Sequence, residues 1–166
     1  MKAKTLTVFD FDDTLVKTTC RIKVITKTGR EKWLDPATFN QYNPRKGEQF
    51  CFQEFAEVKE PVMLSHMDKF KRDIVTNKKV YILTSRDKRR PIRKFLADIG
   101  IDVSKVAVIT LGSSNPEDKA DWLQHKAQKY NFDSVYFADD SPKNIEAVKN
   151  RFEKTSKRVI LDLVTQ

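Results

Sequence analysis

The stretch Thr5–Leu15, TLTVFDFDDTL, decides the fold. Five β-branched or apolar residues run without a charge and stop on the carboxylates Asp10, Asp12 and Asp13. Such a run predicts a strand buried on both faces with polar groups at its carboxyl end. The pattern returns downstream. Val80–Leu83 ends in Thr84-Ser85, Val106–Ile109 is a third strand, Val135–Ala138 ends in Asp139-Asp140-Ser141, and Val159–Leu163 is a fifth. Helical periodicity fills the gaps. Met63, Met67, Phe70 and Ile74 step by 4, 3 and 4, which predicts a helix from Pro61 with proline in its first turn. Asp87 is expected to cap a second helix, with Ile92, Phe95, Leu96 and Ile99 inside and Gly100 after its end. Asn115-Pro116-Glu117-Asp118 opens a third, and Pro142–Phe152 is a fourth. Strands alternating with helices give right-handed crossovers and a parallel sheet covered on both faces. The fold class expected is therefore α/β, a Rossmann-like three-layer sandwich with a five-stranded, mostly parallel sheet and a small cap or flap insertion after strand 1.

Residues 1–166 are expected to form a single domain, with residues 16–60 as the flap within it. Arg21–Leu34 alternates about Thr28-Gly29 and predicts a small hairpin. Asp35 to Lys59 shows no clear period, yet holds Phe39, Tyr42, Phe50, Phe52 and Phe55. With 39% hydrophobic and 33% charged residues, the chain suits one core of ordinary size. No apolar run approaches the roughly 18 residues of a membrane span and no signal-peptide core opens the chain, so a soluble cytoplasmic protein is expected, without a membrane partner. Cys20 and Cys51 form no CxxC pair, which excludes a zinc ribbon or a disulfide framework. With four glycines and no GxxxxGK or GxGxxG loop, P-loop and dinucleotide chemistry lack their usual phosphate cradle.

The net charge of +9 is local. Lys69, Lys71, Arg72, Lys78, Lys79, Arg86, Lys88, Arg89, Arg90, Arg93 and Lys94 face only Asp73 and Asp87 in the same window, and the remainder of the chain is balanced. A polyanionic partner is therefore considered.

In a parallel sheet, ligands bind beyond the carboxyl ends of the strands. Asp10, Asp12 and Asp13, then Thr84-Ser85-Arg86, then Lys119 at the start of a helix, then Asp139-Asp140 should meet on that rim. Five carboxylates so close repel one another unless a cation intervenes, and an all-oxygen set suits Mg²⁺. A hydroxyl and an ammonium beside them, with no catalytic His or Cys, point to phosphoryl chemistry.

These elements together resemble the haloacid dehalogenase superfamily of phosphohydrolases from Thr5 to Leu163. VFDFDDTL carries the DxDxT motif, VYILTSR the second motif, Lys119 the third and VYFADDS the fourth. The resemblance implies that Asp10 is the nucleophile, forming an aspartyl-phosphate, and that Asp12 protonates the leaving oxygen and then activates water. It implies Mg²⁺ held by Asp10, the Asp12 backbone carbonyl and one or both of Asp139 and Asp140, with Asp140 favoured as the direct ligand. Thr84 and Ser85 would bind phosphoryl oxygens, and Lys119 would balance their charge. Asp13 stands where many relatives have glycine and reads as a solvated or turn-stabilising carboxylate. Thr14 orders the loop, and His66 and His125 read as structural or exposed.

Only 34 residues separate Thr84 from Lys119, too few for a large cap, whereas 46 separate Thr14 from Pro61. A comparatively open site suits a macromolecular end. Arg86, Lys88, Arg89 and Arg90 would then form a substrate-binding track leaving the phosphate site. In this respect the chain resembles the 3′-phosphatase domains of phage-type polynucleotide kinase-phosphatases, which implies removal of 3′-phosphate from nucleic-acid ends, in the host cytoplasm if the chain is phage-encoded. The other readings are a 5′(3′)-nucleotidase acting on mononucleotides, a phosphatase of polymerase tails, and a non-enzymatic phospho-acceptor receiver. Ile109-Thr110-Leu111 lacks the acceptor aspartate that the receiver would need. No obligate protein partner is expected.

Overall fold

The computed structural model describes residues 4–77 and 79–165. Its centre is a five-stranded, all-parallel sheet. The strands are β1 (Thr5–Phe9), β7 (Val80–Thr84), β8 (Val106–Thr110), β9 (Ser134–Asp139) and β10 (Arg158–Leu163), in the order β10-β9-β1-β7-β8. The acid-tipped first strand is thus central. Alternation along it sends Leu6 and Val8 to one face and Phe9 to the other, which is why both faces carry a core.

Helices α2 (His66–Thr76) and α3 (Arg90–Asp98) cover one face, where Phe9, Phe70, Ile82, Ile92, Phe95 and Leu96 pack together. The Phe9 and Phe70 rings meet edge to face at 5.5 Å, an arrangement worth about 0.5–1.5 kcal/mol beyond the area it buries. Helices α4 (Pro116–Lys129) and α5 (Pro142–Phe152) cover the other face through Leu6, Val8, Leu83, Leu123, Phe137 and Val148. Both begin as their sequences require: Asn115 and Ser141 accept at the cap, and each cap is followed by proline.

Between β1 and α2 the chain makes the flap. β2 (Val16–Lys17) pairs with β6 (Val62–Met63) as a neck. Above it, β3 (Ile22–Ile25), β4 (Glu31–Leu34) and β5 (Gln49–Cys51) form an antiparallel sheet in the order β4-β3-β5, with the short helix α1 (Pro36–Gln41) capped by Asp35. The Arg21–Leu34 hairpin is as expected. The segment without clear period has structure after all, because Cys20, Ile22, Phe39, Phe50 and Phe55 give it a small core of its own.

Two helix starts differ from expectation. Pro61 does not begin α2: Val62 and Met63 are exposed strand residues held by the neck, and the helix starts at His66, five residues later. Asp87 does not cap α3, whose N-cap is Arg89 with no side-chain bond. The helix instead enters through Pro91 and is held by the burial of Ile92, Phe95 and Leu96.

Among the described residues, no helix is long and apolar enough to cross a membrane.

Candidate active site

The carboxyl ends of β1, β7 and β9 bring the sequence-predicted rim together. Phe9 pairs with Ala138 and the Asp10 amide donates to the Ala138 carbonyl at 2.8 Å, which sets Asp10 beside Asp139. The chain then turns back tightly: the amides of Thr14 and Leu15 donate to the Phe11 carbonyl, and Asp13 donates to Val16. This turn requires a left-handed residue at Asp13, with φ of 61°. Such a conformation favours glycine, and Asp is among the few other residues that tolerate it. Asp13 is buried, so of the two readings given for it the solvated one fails and the turn role fits. The Thr14 hydroxyl donates to Asp10 Oδ2 at 3.0 Å, fixing one carboxylate oxygen.

Lys119, only 2% exposed, reaches in from the first turn of α4. Its ammonium donates to Asp10 Oδ1 at 3.0 Å and to Asp139 Oδ2 at 2.8 Å. Burial alone would favour the neutral amine, but the two flanking carboxylates outweigh it and raise the pKa, so the residue is a cation. Asp139 also accepts from the Ser141 amide at 2.8 Å and from Asn144 Nδ2 at 3.0 Å, which leaves it well satisfied.

Asp10, Asp139 and Asp140 offer oxygens that lie within 4.8 Å of one another. Burial, then the Asp139 charge, pushes Asp10 up to about 6; burial and the Asp10 charge push Asp140 up to about 10. Their carboxylates are thus held together against desolvation and mutual repulsion, the cost that a bound cation removes. This buried acidic cluster could hold a metal ion. The Asp12 carboxylate stands apart from the cluster, because both of its oxygens accept from Arg86 at 2.8 Å. Thr84 is buried at the tip of β7, its hydroxyl accepting from the Arg86 amide, and Ser85 follows it on the cavity wall.

The expected basic track is only partly realised. Arg86 is 6% exposed, and its guanidinium faces inward. Besides Asp12 it donates to the carbonyls of Phe55 at 3.1 Å and Glu57 at 2.9 Å and approaches the Cys20 sulfur at 3.9 Å. Arg86 therefore ties the flap to the loop that follows β1 and is not an open phosphate contact. Its five N–H groups are all engaged inside the protein. Lys69, Lys71 and Arg72 stand on α2 and Lys79 just before β7, and none of the four lines the cavity. Lys69 bonds Asp73, and Lys79 donates to the Ser104 carbonyl. Lys78 falls outside the described residues. Lys88, Arg89 and Arg90 are exposed on the approach to α3.

A cavity of about 480 Å³ opens above Asp10, Asp12, Thr84 and Lys119. Its opposite wall is flap: Ile22, Phe39, Phe50, Phe52 and Phe55. Asp87, Gly112, Ser113 and Ser114 form a further side, while Lys88, Arg89 and Arg90 do not line it.

Asn144 and the inward turn of Arg86 escape a motif-based reading. The spacing of Asn144, three residues after the Ser141 cap, does place it on the first turn of α5 facing the rim. His66 bonds Asp162 at 2.8 Å and His125 is exposed, both away from the cavity. Cys20 is buried in the flap and Cys51 half-buried on it, both as free thiols. No family model matches the chain, and no curated protein matches it.

Proposed function

We propose that the protein is a Mg²⁺-dependent phosphomonoesterase of the haloacid dehalogenase type, working through an aspartyl-phosphate and removing 3′-phosphate from nucleic-acid ends. The observation that carries this reading is the convergence of Asp10, Lys119, Asp139 and Asp140 on one rim beside Thr84.

The donor set fits the ion: three carboxylates, oxygen ligands only, in a cluster that is electrostatically costly by itself. Asp10 and Asp140 would hold it with the Asp12 backbone carbonyl, since Asp139 already accepts from three donors. When bound, Mg²⁺ would neutralise the repulsion between a carboxylate nucleophile and an anionic phosphoryl group.

The protein's own residues supply the remainder. The Thr14 and Lys119 bonds orient Asp10 so that a carboxylate oxygen attacks phosphorus in line with the leaving oxygen. The phosphorus–oxygen bond to the leaving group breaks as the new one forms, and Asp12 gives the leaving oxygen its proton. Since both Asp12 oxygens accept from Arg86, one of those bonds opens for the carboxyl to carry that proton. Water then attacks the same phosphorus, Asp12 takes its proton, and phosphate departs with Asp10 restored. Thr84, Ser85 and Lys119 face the phosphoryl oxygens, where charge gathers in the transition state. Lys88, Arg89 and Arg90, next to Asp87 on the cavity rim, offer exposed positive charge to phosphates further along a strand.

The cavity also favours a second reading, hydrolysis of mononucleotides, because its volume suits a single small ligand and the exposed bases lie outside it. A substrate panel with Mg²⁺ separates the two: mononucleotides, 3′- and 5′-phosphorylated DNA and RNA, a phosphopeptide and p-nitrophenyl phosphate, each with wild type and Asp10→Asn. The proposal expects the 3′-phosphorylated oligonucleotide to be turned over fastest and Asp10→Asn to be inactive. Activity retained by Asp10→Asn overturns the mechanism, and faster turnover of mononucleotides overturns the choice of substrate.

A further inference from the structure

The wall of the cavity opposite the acids is aromatic, and the chemistry assigned to the rim makes no use of it. Phe39, Phe50, Phe52 and Phe55 line it, from α1, β5 and the 3-10 turn that follows β5. They form an edge-to-face chain: Phe39 lies 5.4 Å from Phe50 and 5.5 Å from Phe52, and Phe52 lies 6.2 Å from Phe55. In an edge-to-face pair the edge of one ring covers a single face of the other, so each pair leaves the remaining ring faces free. Phe52 remains 48% exposed at the cavity, although its neighbour Phe55 is buried in the flap core.

Charge narrows the occupant. The cations lining the cavity are Lys119 and Arg86, and each is paired with carboxylates. A ligand bearing a second phosphate would find no free cation on the aromatic side, whereas a neutral planar group would find ring faces. Asn40, beside Phe39 on the same wall, offers an amide to the edge of such a group. At about 480 Å³ the space takes one nucleotide unit and not several.

We propose that the Phe39–Phe50–Phe52 wall is a stacking subsite for the nucleobase of the nucleotide that carries the phosphate. The phosphoryl group sits at Asp10 and the base lies against the flap, so the enzyme reads its substrate one base deep, without regard to which base it is. This rests on the phosphatase reading for the place of the phosphate, but the stacking surface itself can be tested without turnover.

Three substrates with the same reactive group make the comparison: an oligonucleotide with a 3′-phosphate on a base-bearing terminus, the same strand ending in a 3′-phosphorylated abasic residue, and glycerol 2-phosphate. Stacking on one aromatic ring corresponds to between about 5-fold and about 150-fold in affinity. The expected result is a kcat/KM ratio of that size between the base-bearing and abasic ends, with glycerol 2-phosphate no better than the abasic end. The ratio should fall toward one in Phe52→Ala and persist in Phe52→Tyr. A wild-type ratio near one overturns the proposal, as does a ratio that Phe52→Ala leaves intact. In parallel, an oligonucleotide with a 3′-terminal 2-aminopurine is titrated into metal-free wild type, Asp10→Asn and Phe52→Ala. Quenching in the first two and its loss in the third supports the subsite, and quenching without phosphate release from any substrate keeps the subsite while discarding the phosphatase. Absence of quenching in wild type overturns the stacking surface.

Discussion

Replacing Arg86 should be strongly destabilising. Its side chain is buried and its partners come from three parts of the chain: both oxygens of Asp12 in the loop after β1, the carbonyls of Phe55 and Glu57 in the flap, and Cys20 near the neck. Arg86→Met fills similar space but leaves the Asp12 carboxylate with no counter-charge, takes the guanidinium donor from the Phe55 carbonyl and leaves the Glu57 carbonyl with only the weak Cys20 thiol. Breaking a buried pair by removing one member costs about 3–5 kcal/mol, because the surviving charge stays desolvated. A domain of this size holds about 5–15 kcal/mol in all, so about a fifth of the total or more is at stake. Arg86→Lys keeps the charge but cannot reach both Asp12 oxygens and both carbonyls from a single nitrogen, and should recover less than half of the loss. Urea unfolding of wild type, Arg86→Met, Arg86→Lys, Asp12→Asn and the Arg86→Met/Asp12→Asn double variant provides the measurement. The double variant should be less destabilised than the two single effects added together, since its second change removes the stranded charge. A loss under 1 kcal/mol in Arg86→Met, or strict additivity in the cycle, would refute the idea that Arg86 fastens the flap through Asp12.

Three further outcomes follow from the same geometry. Saturating Mg²⁺ at about 100 times its Kd should add about 2.7 kcal/mol, or roughly 5–11 °C in melting temperature for a domain of this length; Asp140→Asn should lose most of that shift in a thermal melt, and an equal shift in both proteins would remove Asp140 from the metal site. Neutralising Lys88, Arg89 and Arg90 together should reduce the salt slope of single-strand binding by about 2, at roughly 0.7 per phosphate contact, measured by fluorescence anisotropy; an unchanged slope would leave these bases as ordinary surface. Burial would raise the Asp162 pKa, but the bonds from Tyr136 and His66 outweigh it and hold the carboxyl below its usual 3.8. A depressed carboxyl contributes stability that is complete above its ordinary value and fades as pH falls through the lower folded value. Asp162→Asn should therefore be less stable than wild type at pH 7, with the gap closing below about pH 4; a gap of constant size down to pH 2.5 would contradict this.

The sheet was legible because parallel strands buried on both faces must be apolar throughout, and their polar tips mark the rim. TLTVF followed by Asp10, or SVYFA followed by Asp139, leaves little room for another reading. Strand order was less accessible, since nothing in β1 alone names β7 and β9 as its neighbours. Beyond its hairpin the flap escaped because its elements are two to six residues long, shorter than the period needed to tell helix from strand, and it is held by side chains far apart in sequence such as Cys20 and Phe55. Pro61 misled for a related reason: Met63 fits the helical step, yet pairing with Val16 takes it into the neck. Arg86 was read by its neighbours Lys88, Arg89 and Arg90, and composition cannot show which base of a cluster turns inward. Here the partner is Asp12, 74 residues away.

The sheet order also sets a timetable. β1 occupies the centre and is made before every strand that flanks it, and the residues it pairs with on β9 follow it by 129 positions. At 5–20 residues per second, a ribosome takes roughly 6–26 s to supply them. For that interval the central strand of the sheet has at most the β7 edge to lie against, and its other edge is open to any extended chain nearby. The Asp10–Thr14 loop it carries is therefore among the first segments to be synthesised and the last to be enclosed, and fragments that stop short of Ser134 should precipitate.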